Sequence, residues 1–204
     1  MYHYVMKDLI STLCIMISFV FTGISVGWSS DVQKSSVANL KDLNNPALKE
    51  WKTLAEQGDL DAQMHLANVY REGKGVPQDY KTAVRWFTLA AEQGDVEAQY
   101  NLGIMHSFGL GTVPDYNASI EWYKLAAEQG NPIAQYNLGR LYYLGQGVSE
   151  NLAYAHMWAN HASSNGFEMG EELKGLLVEI MSPTQVEEAH RLAIECLGKN
   201  YKGC

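Results

Sequence analysis

Histidines, carboxylates, paired glycines and evenly spaced tryptophans are the side chains here whose types could carry chemistry. Of the six histidines, His156 and His161 stand five apart, while His65, His106 and His190 are dispersed. A zinc site would ask for His-Glu-x-x-His or paired Cys-x-x-Cys, and a calcium site for a carboxylate-rich loop. The chain has none of these, so the histidines read as structural. The glycine pairs invite a phosphate-loop reading, but Gly73-Lys74-Gly75-Val76-Pro77-Gln78-Asp79 lacks the Walker pattern and follows a helical stretch, not a strand. Helix termination explains them better. Glu92 and Glu128 fall at matching places in successive segments, which suits solvated or capping residues more than an acid/base pair. Asn117-Ala118-Ser119 is a formal glycosylation sequon of low specificity. No cofactor motif and no metal site is expected.

What positions these residues is an internal repeat. Gly58, Gly94, Gly130 and Gly166 are spaced 36 residues apart. In that register Ala62/Ala98/Ala134, Gln63/Gln99/Gln135 and Leu66/Leu102/Leu138 coincide, as do the pairs Gly73/Gly75, Gly109/Gly111 and Gly145/Gly147. Trp86, Trp122 and Trp158 also fall in line, as a ladder of core residues. Each unit reads as two helices. Ala98, Leu102, Met105 and His106 share one helical face, and the glycine pair ends that helix. Asp79, Asp115 and Asn151 stand where the second helices need N-caps. The small pairs Ala90/Ala91, Ala126/Ala127 and Ala162/Ser163 allow close helix approach. A helical hairpin cannot cover its own apolar face, so neighbouring units must stack. The fold class is all-α, a solenoid of helix-turn-helix repeats with a 36-residue period.

The expected organisation is a targeting segment over 1–30, a linker over 31–45 and a partial-repeat helix over 46–57. Repeats follow over 58–93, 94–129 and 130–165, then a C-terminal capping hairpin and tail over 166–204. No charged residue lies between Leu9 and Ser30, and Lys7 precedes the run. An export signal fits this pattern, with the mature chain starting between about Gly23 and Asp31. The run is also nearly long enough to span a bilayer, so residues 9–27 as an uncleaved membrane tether is the alternative. The alternative location is the membrane, with the protein anchored by the N-terminal segment; the expected location is periplasmic or secreted. There Cys196 and Cys204 remain as a pair that an oxidising compartment would bridge; the alternative is a buried Cys196 with a free Cys204. Fifteen basic against 23 acidic residues give a formal charge of −8, which repels phosphate backbones and excludes a nucleic-acid role.

The pattern A-x-A-Q-x-x-L-G-x-x-Y-x-x-G-x-G-V, then D-x-x-x-A-x-x-W-Y-x-x-A-A-E-x-G, resembles the Sel-one-like repeat family, a relative of tetratricopeptide repeats. The likeness runs from about Pro46 to Leu197. It implies a right-handed α/α solenoid, used mainly as an adaptor for other proteins, without catalysis. A cysteine-rich branch of the family is associated with β-lactam binding and hydrolysis, yet the three repeats here hold no cysteine, Ser-x-x-Lys or Gly-x-Ser-x-Gly. An envelope-structural or regulatory role is a further alternative.

In such arrays the first helix of each unit lines the concave side. Setting aside the core positions leaves Met64, Asn68 and Arg71 in the first unit. Tyr100, Ile104 and Ser107, with neighbouring Phe108, follow in the second, and Tyr136, Arg140 and Tyr143 in the third. Tyr, Arg and Met together have the composition of a protein-recognition surface. This surface is the expected site for a protein or peptide partner. The alternative is that Ile104 and Phe108 pack against adjacent repeats.

Overall fold

The computed structural model describes residues 46–204, so the targeting segment, the tether and the linker expected before Pro46 lie outside the described residues. Among the described residues there are nine helices and no strands. They are α1 (Pro46–Glu56), α2 (Leu60–Glu72), α3 (Tyr80–Glu92), α4 (Val96–Phe108), α5 (Tyr116–Glu128), α6 (Pro132–Leu144), α7 (Leu152–Ser164), α8 (Glu168–Ile180) and α9 (Pro183–Gly198). Each helix from α1 to α7 packs on the next, as a solenoid requires. First helices are α2, α4 and α6; second helices are α3, α5 and α7.

Helix edges follow from local chemistry. The side chains of Asp59, Asp95 and Asn131 accept from the Ala62, Ala98 and Ala134 N–H groups and open the first helices. Asp79, Asp115 and Asn151 do the same for the second. Each such cap stabilises its helix by about 1 kcal/mol. Gly73, Gly109 and Gly145 close the first helices in the left-handed region, at φ 67°, 67° and 65°. The second glycine of each pair has another task. A Cβ on Gly111 would meet the Tyr80 carbonyl oxygen at 2.4 Å, and one on Gly147 would meet Tyr116 Cβ at 2.8 Å. The loops of the second and third units therefore seat on the start of the preceding unit's second helix.

Consecutive units are stapled by amides. Gln63, Gln99 and Gln135 donate to the carbonyls of Ala55, Ala91 and Ala127 at 3.1–3.2 Å. Their own side-chain oxygens accept from Gln93, Gln129 and Asn165 at 2.7–2.9 Å. All three glutamines are buried, so truncating one would orphan partners at a cost of about 1–3 kcal/mol.

The C-terminal part departs from a hairpin packed on itself. α8 continues the first-helix register and covers one side of α7, while α9 lies on the side that α3 and α5 leave exposed. The ring of His190 on α9 meets His156 edge-on at 5.6 Å. Ser182 and Gln185 start α9 with a reciprocal capping box. Beyond it, a Cys196–Cys204 disulfide with a Cα separation of 5.5 Å folds the tail back. Gly203 then donates its N–H to Glu128 at 2.9 Å, and the Tyr201 ring stands over His161 at 5.1 Å.

Candidate functional site

Among the described residues no three His, Cys, Asp or Glu side chains gather into a group that could hold a metal, and no helix is long and apolar enough to cross a membrane. His161 is the most perturbed titratable group. It is fully buried, both ring nitrogens lack hydrogen-bond partners, and burial holds its pKa down at about 4. Trp158 and Tyr201 flank it edge-on, which is a packing role. Burial also lowers the pKa of His156, the largest of several causes, and that of His65, which stacks on Trp51.

The first helices offer the surface of interest, and their register sorts the expected partner-binding residues into two groups. One group turns away from solvent. Tyr143 is 1% exposed and Tyr136 is 6% exposed, so neither is an accessible anchor, contrary to the expectation. The reason is periodicity. Residues 71, 107 and 143 sit one helical turn after Ala67, Gly103 and Gly139, the small residues that face the unit's own second helix. A Cβ on Gly103 would strike the Tyr123 ring at 2.4 Å, and one on Gly139 would stand 3.0 Å from the Ala155 carbonyl oxygen. Such close approach pulls the next turn under cover. Ser107 accordingly bonds Ser119 of α5 at 2.6 Å, and Arg71 lies over the Phe87 ring at 5.7 Å. Arg71 also donates to Asn101 of the next unit at 2.5 Å and pairs with Glu72 at 2.8 Å. Tyr136 is roofed by Phe167, edge-on at 5.3 Å, because α8 follows it. Met64 and Tyr100 pack against the cores beneath them, and so does one side of the half-buried Ile104, in line with the alternative expected for that residue.

The other group stays on the open face. Asn68, Ile104 and Arg140 occupy equivalent positions and are half-buried, and Phe108 is 45% exposed. The 36-residue period extends this set to residues the sequence reading passed over. Leu144 and Ile180 are equivalent to Phe108, Leu176 is equivalent to Arg140, and Met169 to Ile133. Ile180 is 40% exposed, and Leu144, Leu176, Met169 and Ile133 are half-buried. α4, α6 and α8 thus present a band of apolar side chains. The equivalent places on α2 and at the start of α4 are polar or acidic: Asp61, Asn68, Glu72 and Glu97.

Known proteins place this architecture. The Sel1 repeat family model matches residues 60–95, 96–131 and 132–167, three consecutive units. Among curated proteins none matches the chain. A crystal structure of a Sel1 repeat protein from Oxalobacter formigenes is similar at 38% identity and a TM-score of 0.57, covering 63% of this chain and 97% of that one. The protein c5321, described as a protective antigen of uropathogenic Escherichia coli with an SLR fold, is similar at 28% identity and a TM-score of 0.58. That match covers 76% of this chain and 42% of c5321. The 36-residue register, the paired glycines and the stacked α/α units agree with these matches: the chain belongs to the Sel1 repeat family.

Proposed function

We propose that this protein is an exported adaptor that holds a protein or peptide partner on the open face of its first-helix layer and performs no catalysis of its own. The observation that carries the reading is the apolar band of Ile104, Phe108, Leu144, Leu176 and Ile180. Phe108 and Ile180 are exposed and Ile104, Leu144 and Leu176 half-buried on the same face, and apolar side chains left open to solvent in one patch mark an interaction surface. The acidic balance of the chain argues against nucleic acid as the partner. Export is supported by the uncharged run from Leu9 to Ser30 and by the terminal disulfide, which suits an oxidising compartment.

Site-specific photo-crosslinking in cells tests the adaptor reading. A photoreactive residue at Phe108 or Ile180 is expected to give a discrete protein adduct, and one at Leu89 or Leu125 on the second helices none. Adducts confined to the second-helix positions would move the site off this face. N-terminal sequencing of the extracytoplasmic protein is expected to begin between Gly23 and Asp31. Intact Met1 in a membrane pellet would point to the anchor, and intact Met1 in soluble cytosol would exclude both. Turnover of a β-lactam reporter by the purified protein would overturn the non-catalytic reading.

A further inference from the structure

Arg140 sits in the apolar band without an anion. It is half-buried, its Nε has no hydrogen-bond partner, and its Nη1 reaches Asn137 Oδ1 only at 3.4 Å. Its guanidinium lies 5.9 Å from the Tyr136 ring centroid. Among the described residues it enters no ion pair, whereas Arg71 pairs with Glu72, and Arg191 with Glu188 and Glu195. Arg85, also outside any ion pair, stands on the exposed face of α3, where water solvates it. Glu172 and Glu179 on α8 are exposed, and neither comes within ion-pair distance of Arg140. A planar cation with five fixed donors, partly stripped of water, is matched best by a carboxylate bound through two parallel hydrogen bonds.

What surrounds Arg140 narrows the ligand further. Ile104 precedes it and Leu176 follows it at equivalent positions in the neighbouring units, and Leu144 lies one turn along α6. Apolar side chains therefore flank the cation on both sides. A chain terminus bound here would leave one side empty, while an internal acidic residue would fill both. Asp61 and Glu97, in no ion pair among the described residues, repel such a segment from the N-terminal end of the face. Resting on the adaptor reading above, we infer that the partner docks through an internal Asp or Glu flanked by apolar residues, its carboxylate on the Arg140 guanidinium.

A library of ten-residue synthetic peptides, each made with free and amidated C-termini, tests this against the full-length chain. Binders are expected to carry an internal Asp or Glu between apolar residues, with equal affinity in both terminal forms. Arg140→Met should weaken the best binder at least tenfold with an unchanged melting temperature, and Arg140→Lys should restore part of it. Replacing the peptide's acid by Asn or Gln should cost a similar factor with the parent protein and nothing further with Arg140→Met. Phe108→Ala should weaken acidic and neutral peptides alike. If Phe108→Ala weakens binding while Arg140→Met does not, the carboxylate inference falls and the adaptor face stands. Binders that need a free C-terminus would overturn the internal-acid assignment. Binders indifferent to both substitutions, or no binders at all, would overturn the adaptor face as well.

Discussion

α5 and α7 are the same element in consecutive units, yet they live in different environments. α5 carries Glu121, Lys124 and Glu128 and leaves Leu125 43% exposed. α7, with sequence LAYAHMWANHASS, has no charged side chain, and the equivalents of Glu121 and Leu125 are Met157, 1% exposed, and His161, fully buried. α5 is covered on its inner side by first helices, whereas α7 is covered there by α6 and α8 and outside by α9 and the disulfide-closed tail. The array ends by turning its last second helix into core, while the first-helix face of α4, α6 and α8 stays open. Repeat identity sets the backbone; what stacks on each unit sets which positions can be polar.

Exchanging residues between the two helices gives the largest effect. Met157→Glu puts a carboxylate where no partner waits and should cost about 3–5 kcal/mol. The reverse change, Glu121→Met, should stay within about 0.5 kcal/mol, since that position is solvated. Urea midpoints of both variants measure the contrast, and equal costs would erase it.

Opening the tail comes next. The disulfide closes a short loop and should stabilise the native state by about 2.5 kcal/mol through the unfolded chain. Cys204→Ser should lower the urea midpoint accordingly, and thiol titration of the unreduced parent should find neither Cys196 nor Cys204 free. Two reactive thiols at these positions would dismiss the bridge.

A further effect is absent at neutral pH and develops on acidification. His161 takes up a proton near its ordinary pKa of 6.5 when unfolded, but only near 4 when folded. Between those values the unfolded state binds more protons, so stability is complete above about pH 6.5 and declines toward pH 4. His156 and His65 shift in the same direction and add to the slope. His161→Leu, which copies the residue at Leu89 and Leu125, should flatten the decline between pH 6.5 and 4 in thermal melts. An unchanged slope would show that His161 already exchanges with water.

The helix edges were legible in the sequence because their causes are local: Asp79, Asp115, Asn151 and the first glycine of each pair act within one turn. The open face was legible only in part. Phe108 is exposed and Asn68, Ile104 and Arg140 are half-buried, but Tyr136 and Tyr143 are covered. Their burial depends on how closely α6 approaches α7 across Gly139 and on where Phe167 falls, both products of stacking between segments. Leu144 and Ile180 carried a signal that the period itself supplied, at 36 and 72 residues after Phe108. The missing charges of α7 likewise foretold a helix covered on both sides. The orphaned Arg140 had no such signal, since an unpaired cation is recognisable only once its neighbours are placed.

The most direct test of the account is hydroxyl-radical footprinting of the oxidised full-length protein, free and bound to the partner recovered by crosslinking. In the free protein Phe108, Leu125 and Ile180 should be labelled, and Met157 and Trp158 protected. Binding should protect Phe108 and Ile180 and leave Leu125 reactive. Protection of Leu125 with Phe108 still labelled would contradict the assignment of the first-helix face as the site where the partner is held.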